Sequence, residues 1–184
     1  QAFNQYHASY VAVGMDEDGM RVDEVEQALA ADRGRRRIKF IYALANFQNP
    51  TGRSLSRERR QRLVDVAGQF GVPIVEDDPY GELRYEGEHL PSLKSLDRDG
   101  VVIYLGTFSK ILAPGFRLGW IIATPEAHET LLHAKQPSDL HTGMAQQMAT
   151  WQVAQNGFVD RHVERIKDFY RERRDVMLRA LEDG

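Results

Sequence analysis

The chain contains no cysteine among its 184 residues. This absence excludes disulfide bonds, thiolate nucleophiles and thiolate metal ligands. The chain also lacks any run of about 18 consecutive apolar residues, so no transmembrane helix is expected. Its first residues lack the basic and apolar regions of a signal peptide. We therefore expect a cytoplasmic protein that has no membrane partner, and no metal site is predicted.

Charge of one sign is not in excess either, since 24 lysine and arginine residues stand against 27 aspartate and glutamate residues. Domains that bind nucleic acid usually carry a basic surface, so no nucleic-acid partner is expected. The one dense basic cluster is Arg33-Gly34-Arg35-Arg36-Arg37, which we interpret as a solvated loop rather than a phosphate-binding patch. No Gly-x-Gly-x-x-Gly motif and no phosphate-loop lysine motif is present, which argues against a nucleotide-binding domain.

Apolar strand-like segments alternate with helical patterns along the chain. The strand predictions are 38–44, 72–76, 101–105 and 118–123. Such alternation is typical of an α/β fold with a mainly parallel sheet. Because these strands are almost wholly apolar, we expect helices on both faces of the sheet.

Capping residues mark the ends of several predicted helices. Ser56 can cap a helix that ends at Gly71. Thr124 and Pro125 have the N-cap and first-turn residues of another helix, which we predict to run to about Lys135. Another helical pattern begins near Val22, with Gly34 as its predicted stop. Two more begin near Met144 and Val159.

The most informative residue is Lys110, one of only five lysines in the chain. It ends the segment Thr107-Phe108-Ser109-Lys110, which directly follows the apolar residues 101–106, and Arg117 follows it seven residues later. An amine in this place can bond a carbonyl as a Schiff base, and hydroxyls with a guanidinium can hold a phosphate. The carboxyl ends of strands in open α/β sheets are usual ligand sites. A cofactor that has both a carbonyl and a phosphate is pyridoxal phosphate.

Two further polar segments follow predicted strands. By itself, Asn49-Pro50-Thr51-Gly52 fits a simple turn, and Glu76-Asp77-Asp78-Pro79-Tyr80 fits an acidic loop. In a binding site, the Asn49 amide can meet a ligand oxygen. One carboxylate of the second segment can hold a pyridinium nitrogen protonated, which makes the ring an electron sink, and a nearby tyrosine can donate to the ring oxygen.

Together these segments carry a family resemblance. Their order and spacing are similar to the set Asn-Pro-x-Gly, Asp-x-x-Tyr, Ser/Thr-x-Ser-Lys and a later arginine in fold-type I, class I/II aminotransferases. The resemblance covers nearly the whole chain. Within the family, residues 76–83, 91–93 and 134–142 most resemble the 2-aminoadipate/kynurenine aminotransferase branch.

The resemblance implies catalytic roles for three residues. Lys110 would form the Schiff base with pyridoxal 5'-phosphate and shuttle the proton between the substrate α-carbon and the cofactor. Asp77, rather than Asp78, would pair the pyridine nitrogen, because Asp77 occupies the Asp-x-x-Tyr position. Tyr80 would bond the ring oxygen.

The resemblance also implies the remaining cofactor contacts. Asn49 would bond the ring oxygen together with the tyrosine, and the peptide bond that follows it would be cis. The phosphate would be contacted by Thr107, Ser109 and Arg117. His141 is one further candidate from its place in the family pattern, although an exposed histidine is the simpler interpretation.

Parts of the family's active site have no counterpart in this chain. They are the glycine- and serine-containing phosphate loop, the aromatic residue that stacks on the ring, and the arginine that binds the substrate α-carboxylate. We therefore interpret residues 1–157 as the central and C-terminal part of the cofactor-binding large domain, and residues 158–184 as a long helix that leads to an absent small domain. The resemblance implies a homodimer for the full-length protein, and we expect this piece alone to be inactive.

The leading hypothesis is an enzyme that moves an amino group between an amino acid and a 2-oxo acid. One alternative is the aminotransferase-like sensor domain of a winged-helix transcription regulator. The presence of Asn49 before Pro-Thr-Gly and of Asp-Pro-Tyr at residues 78–80 favours the enzyme. Another reaction on the same scaffold, such as β-elimination or decarboxylation, stays open because fold and cofactor do not fix the reaction type.

Overall fold

A computed structural model describes residues 3–32 and 37–183 of the chain. The predicted loop at the arginine cluster lies outside the described residues, apart from Arg37, whose backbone N–H donates to Oδ2 of Asp32 at 2.8 Å. The predicted helix stop at Gly34 also lies outside them.

Six strands form two sheets in the described ranges. The strands are β1 (Met15–Asp16), β2 (Gly19–Met20), β3 (Ile41–Ala43), β4 (Ile74–Asp77), β5 (Val102–Thr107) and β6 (Gly119–Ile122). The first two form an antiparallel hairpin, and the others form a sheet of order β3-β4-β5-β6. Its first two pairings are parallel and its last is antiparallel. The predicted α/β class with a mainly parallel sheet is therefore confirmed.

In the part of the chain that the structure describes, six α-helices connect and cover these strands. They are α1 (Val22–Asp32), α2 (Arg57–Phe70), α3 (Leu93–Leu96), α4 (Pro125–Asp139), α5 (Met144–Ala154) and α6 (Phe158–Glu182). Short 3-10 turns lie at Asn4–Tyr6, Gly81–Leu83, Pro114–Phe116 and Gln155–Gly157. Among the described residues, no helix combines the length and the apolar character that a bilayer crossing requires.

The predicted caps are present in the structure. The Ser56 hydroxyl accepts from the backbone N–H at the third position of α2, and Gly71 ends that helix in the left-handed region at φ 64°. Thr124 caps α4 in the same way. The prediction that α4 ends near Lys135 was wrong by one turn. The helix continues to Asp139, whose carboxylate is held by the Lys135 amine at 2.6 Å.

The hydrophobic core lies between one face of the larger sheet and helices α1, α2 and α3. Its apolar side chains are at most 8% exposed and include Val25, Ala43, Leu63, Ile74, Leu93 and Val102. Burying each large aliphatic side chain contributes roughly 1.5–3 kcal/mol relative to leaving it in water. This packing fixes the strands, and so it fixes the edge at which the parallel strands β3, β4 and β5 end.

The opposite face of the sheet is more open. Tyr42 on β3 is 43% exposed and Ile121 on β6 is 44% exposed. The ring of Phe3 contacts the rings of Phe40 and Tyr42 edge-on, with centroids 5.2 and 6.2 Å apart. Because side chains alternate along a strand, this face also carries Asp77 of β4.

Helix α6 is tied to the loop that follows β4. The Arg174 guanidinium forms a two-pronged ion pair with the Glu86 carboxylate at 2.6 Å for both bonds. Arg171 donates to the carbonyl oxygen of Tyr85 at 2.7 Å. The buried side chain of Val163 anchors the first turns of the helix.

Candidate active site

The predicted polar segments come together at one edge of the larger sheet. Strands β4 and β5 are parallel, with Asp77 opposite Leu105, and the N–H of Asp78 donates to the Leu105 carbonyl at 3.1 Å. The segment after β3 reaches the same edge, because the Asn46 amide donates to Oδ1 of Asp78 at 3.0 Å. The carboxyl ends of three parallel strands therefore present residues that are far apart in sequence.

Lys110 lies in a helical turn that directly follows β5. The turn is closed by the N–H of Leu112, which donates to the Phe108 carbonyl at 2.9 Å. Thr107 shapes it, since its hydroxyl donates to the Leu118 carbonyl at 3.2 Å and accepts from the N–H of Ser109 at 3.0 Å. Lys110 itself is exposed. Its amine has no hydrogen bond or ion pair with another residue of the described ranges.

Packing between β5 and β6 holds this turn in place. Gly106 stands opposite Trp120 in the antiparallel pairing, and a Cβ on Gly106 would overlap the Trp120 indole. The same indole packs on the ring of Phe108, with centroids 4.8 Å apart. Only glycine leaves room at residue 106 for the ring that supports the start of the lysine turn.

Arg117 ends the 3-10 turn that precedes β6. Its backbone is in the left-handed region, with φ 54° and ψ 39°, which is uncommon for a residue with a side chain. The side chain is exposed and donates through Nη1 to the Pro114 carbonyl at 3.2 Å. Within the described ranges no carboxylate pairs with it, so most of its donors face solvent.

The carboxylate of Asp77 is held by a residue that sequence reasoning did not identify. The Tyr42 hydroxyl donates to Oδ2 of Asp77 at 2.5 Å. Burial raises the pKa of the Tyr42 hydroxyl above its ordinary value, and the hydrogen bond to Asp77 and the charge of that carboxylate raise it further. Tyr42 therefore remains a protonated donor at neutral pH.

Asp78 is committed to a different task. Its Oδ1 accepts from the Asn46 amide at 3.0 Å and from the N–H of Gly81 at 2.9 Å. Its Oδ2 lies 3.5 Å from the Tyr104 hydroxyl. A Cβ on Gly81 would lie 2.5 Å from Oδ2 of Asp78, so the loop that carries Tyr80 closes tightly around this carboxylate.

Asn46 is in turn held by a fully buried arginine. The Arg60 guanidinium donates to Oδ1 of Asn46 at 2.7 Å and to the carbonyl oxygens of Ala45, Leu55 and Pro91 at 2.8, 2.8 and 2.9 Å. Burial lowers the pKa of Arg60, while the charges of Glu76 and Asp78 oppose that shift. A buried charge is tolerated when it is hydrogen-bonded this fully.

Glu76 is the second fully buried charged residue at this edge. Its two carboxylate oxygens accept from the N–H groups of Leu93 and Lys94 at 2.7 and 2.9 Å, so it caps α3. Burial raises the pKa of Glu76, and these backbone donors oppose the increase. The sequence pattern placed Glu76 at the end of a strand without predicting this cap.

The segment after β3 forms a compact turn. The Asn49–Pro50 peptide bond is cis, as the resemblance implies. The Thr51 hydroxyl donates to the side-chain oxygen of Gln48 at 2.6 Å. The backbone N–H of Gln48 donates across the turn to the Arg53 carbonyl at 2.7 Å. Asn49 is exposed, and no described residue bonds its side-chain amide.

His141 is not brought to this edge by any described contact. It is exposed after the end of α4, and its Nδ1 lies 3.1 Å from the Thr142 carbonyl. Tyr80 is half-buried in the loop after β4. Among described residues, the Tyr80 hydroxyl has no hydrogen-bond partner.

A cavity of about 430 Å³ lies between the start of α6 and the ends of β4 to β6. Its lining includes Asp78, Tyr104, Trp120, Val163 and Arg161. These residues lie on the side of the sheet that Asp78 faces, whereas Asp77 faces the other side.

The donor set at the edge of the sheet has a defined chemistry. One hydroxyl ends β5, and a second hydroxyl, an exposed amine and a guanidinium follow it. A carboxylate ends β4, and an exposed amide follows β3. The amine can bond a carbonyl carbon. The hydroxyls and the guanidinium suit a phosphate, for which arginine provides paired donors. The set therefore fits a ligand with a carbonyl, a phosphate and a basic ring nitrogen.

Comparisons with known proteins agree with this chemistry. A family model described as aminotransferase class I and II matches residues 3–184. The chain is 46% identical to aromatic-amino-acid aminotransferase 1 of Thermococcus litoralis over 100% of this chain and 44% of that protein. It is 40% identical to 2-aminoadipate transaminase of Thermus thermophilus, over 99% of this chain and 45% of that protein.

A solved structure shows the same similarity in three dimensions. The crystal structure of Pyrococcus horikoshii kynurenine aminotransferase, determined with PMP, matches with a TM-score of 0.93 and 43% identity. That match covers 98% of this chain and 45% of the other chain. A more distant relative is an uncharacterized HTH-type transcriptional regulator of Bacillus subtilis, 31% identical over 91% of this chain and 34% of that protein.

The chain therefore belongs to the class I and II aminotransferase family. Its relatives include aromatic-amino-acid, kynurenine and 2-aminoadipate aminotransferases, so the predicted branch is confirmed. The chain spans less than half the length of these relatives, 44% and 45% in the two curated proteins.

Proposed function

We propose that the full-length protein is a pyridoxal-phosphate-dependent aminotransferase that moves an amino group between an amino acid and a 2-oxo acid. The observation that carries the proposal is the exposed amine of Lys110 in the turn after β5, next to the strand that ends at Asp77. Family membership supports the same activity. When bound, pyridoxal phosphate supplies an electron sink for negative charge on the amino acid's α-carbon.

The residues after β5 and before β6 would hold the phosphate. The Thr107 hydroxyl at the end of β5 accepts from the N–H of Ser109 at 3.0 Å, and Arg117 brings a guanidinium whose Nη2 and Nε have no partner among described residues. A guanidinium and neutral donors together neutralise and orient a phosphate dianion. This anchor would fix the distance between the ring and Lys110.

Residues after β3 and β4 would hold the ring. The Asp77 carboxylate would pair the ring nitrogen and keep it protonated, which maintains the electron-withdrawing character of the ring. Tyr80 and Asn49 would donate to the ring oxygen. Asp78 is a poorer candidate for the ring nitrogen, because both of its oxygens already contact groups of the protein.

Lys110 would have two tasks. Its Nζ would hold the cofactor covalently until the amino acid arrives. The released amine would then take the proton from the α-carbon of the substrate, as a general base within hydrogen-bond reach. The supporting observation is that no described side chain competes for this amine.

We further propose that residues 1–157 belong to the cofactor-binding large domain, and that residues 158–184 form the helix that leads to a small domain. The full-length protein would be a homodimer. Large apolar side chains that are 42–70% exposed on α5 and α6 support an extensive further interface, among them Met148, Trp151, Phe158, Phe169 and Leu181. The cytoplasmic location stays a prediction.

We propose the substrate class from the names of the relatives. Their names point to aromatic amino acids, kynurenine and 2-aminoadipate as amino donors. A panel of these three donors with a common 2-oxo acid acceptor would rank them. A preference for small donors such as alanine would contradict the proposed class.

The regulator hypothesis is supported less well. The match to the regulator is 31% identical, against 46% for the aromatic-amino-acid enzyme. A basic winged-helix domain in the full-length sequence would favour the regulator. Sequence-specific DNA binding by the full-length protein would contradict the enzyme proposal if turnover were absent.

A half-reaction tests the proposed activity. The full-length protein loaded with pyridoxal phosphate should release about one equivalent of 2-oxo acid per site from an amino acid donor, without any acceptor present. Lys110→Ala should abolish this release. Lys135→Ala is the matched control, because Lys135 is also exposed but pairs with Asp139 on α4. Equal loss in both variants, or release that survives Lys110→Ala, would contradict the role of Lys110.

A further inference from the structure

The hydroxyl of Tyr42 makes a short contact with a residue of the proposed site. It donates to Oδ2 of Asp77 at 2.5 Å. The register of the sheet explains the contact, because Tyr42 stands opposite Val75 on β4. Asp77 lies two residues beyond Val75 on the same face, and its carboxylate is within reach of the long Tyr42 side chain.

The contact leaves the two oxygens of the Asp77 carboxylate in different states. Oδ2 is occupied by the Tyr42 hydroxyl, whereas Oδ1 accepts no hydrogen bond from any residue in the described ranges. The terminal torsion of an aspartate side chain has a broad distribution, so the carboxylate plane is not fixed by the side chain itself. A donor on one oxygen therefore fixes the plane of the carboxylate and directs the other oxygen away from β3.

The geometry points to Tyr42 as a positioning residue that orients the Asp77 carboxylate toward the ring nitrogen of the cofactor, an inference that rests on the proposed function. Tyr42 acts through Asp77 and not on the substrate. Its hydroxyl stays protonated, since burial and the neighbouring carboxylate raise its pKa. Tyr42 thus offers a hydrogen-bond donor to Asp77 throughout the neutral range.

The placement of Tyr42 argues against a purely structural role. Its side chain is 43% exposed on the open face of the sheet, away from the core between the sheet and α1 to α3. Its described aromatic neighbour is Phe3, at a centroid distance of 6.2 Å. Replacing Tyr42 by phenylalanine removes one oxygen atom and leaves this packing intact.

The chain offers a matched control on the other face of the sheet. The Tyr104 hydroxyl lies 3.5 Å from Oδ2 of Asp78, and the pKa of Tyr104 is also raised, by burial first and then by the charge of Asp78. Tyr104→Phe therefore removes a tyrosine hydroxyl beside a carboxylate that lies outside the proposed ring contacts.

The test uses the full-length protein and titrates cofactor-free enzyme with pyridoxal phosphate. Tyr42→Phe should raise the dissociation constant about tenfold, because a carboxylate that Tyr42 no longer holds must be immobilised when it pairs the ring nitrogen. It should also change the absorption spectrum of the bound cofactor and lower kcat more than it raises KM. Tyr104→Phe should leave all three unchanged. Circular dichroism checks that each variant is folded. Tyr42→Leu, which also lacks the hydroxyl, is a second variant for the same measurements.

A double-mutant cycle separates an action through Asp77 from an independent one. In an Asp77→Asn background, Tyr42→Phe should weaken cofactor binding by less than twofold, because its partner has already lost its charge. A tenfold effect in both backgrounds would overturn the inference, and so would wild-type affinity and an unchanged spectrum in the single variant. Failure of the wild-type protein to bind pyridoxal phosphate would instead refute the proposed function.

Discussion

Replacing Arg60 by methionine should destabilise the protein strongly, although the arginine lies on a helix that is otherwise rich in exposed charges. Arg60 is fully buried and donates four hydrogen bonds, three of them to carbonyl oxygens of loops after β3, before α2 and before α3. Methionine has a similar helix propensity, so the change isolates the guanidinium.

The expected loss follows from the acceptors that are left behind. The carbonyls of Leu55 and Pro91 lose their described partner, whereas the Ala45 carbonyl still accepts from the Leu55 N–H at 2.9 Å and Oδ1 of Asn46 from Arg84 at 3.4 Å. Each buried acceptor without a partner costs about 1–3 kcal/mol, so the free energy of unfolding should fall by about 4 kcal/mol. Removing one side of a buried charged network typically costs about 3–5 kcal/mol, which agrees. The free energy of unfolding of Arg60→Lys should lie between those of the wild type and Arg60→Met, because one amine cannot reach all four acceptors.

Arg62 on the same helix is the control. Its side chain is 54% exposed and pairs with Glu26 at 2.9 Å. Exposed pairs contribute about 0–1 kcal/mol, so Arg62→Met should change the free energy of unfolding little. Urea denaturation of the full-length variants, followed by circular dichroism, measures this free energy for Arg60→Met and for Arg62→Met. A loss for Arg60→Met no larger than that for Arg62→Met would contradict the structural role of the buried guanidinium.

Two further predictions concern the strands and loops that support the site. Gly81→Ala should lower the free energy of unfolding by about 1–3 kcal/mol, the usual range for overpacking. Its new Cβ would lie 2.5 Å from Oδ2 of Asp78 and 2.8 Å from the Asn46 amide. Gly115→Ala, where a Cβ meets nothing within 4 Å, should cost far less in the same denaturation assay. For Asp97, burial alone would raise the pKa, but the backbone N–H groups of Val102 and Val101 and the Lys94 amine lower it below its usual range. Its contribution to stability is therefore present above the unfolded-state pKa of about 3.9 and is lost as the pH falls through the lower folded-state value. Asp97→Asn should flatten the acid limb of a stability–pH curve, and an unchanged acid limb would contradict the assignment.

Local signals explain why so much of the fold could be predicted from the sequence. The cap at Ser56 and the stop at Gly71 are properties of a few adjacent residues, and both ends of α2 are where these residues predict them. The mainly parallel sheet follows from alternation of strands and helices. The segment that carries Lys110 was found because it directly follows an apolar strand.

Other features depend on distant contacts that no local pattern reveals. In the sequence, Tyr42 looks like any other residue of an apolar strand. Only the pairing of β3 with β4 shows that it lies diagonal to Asp77. Arg60 resembles its exposed neighbours on α2, and only the convergence of three loops buries it. A partial signal existed for Arg60, because it lies three residues before Leu63 on the inner face of that helix.

We propose that Lys110 holds pyridoxal phosphate through its amine. Borohydride reduction of the full-length protein with bound pyridoxal phosphate, followed by peptide mapping, identifies the lysine that carries the cofactor. We expect one modified peptide, with the reduced cofactor on Lys110. A label on another lysine, or no label on a protein that binds the cofactor, would contradict it.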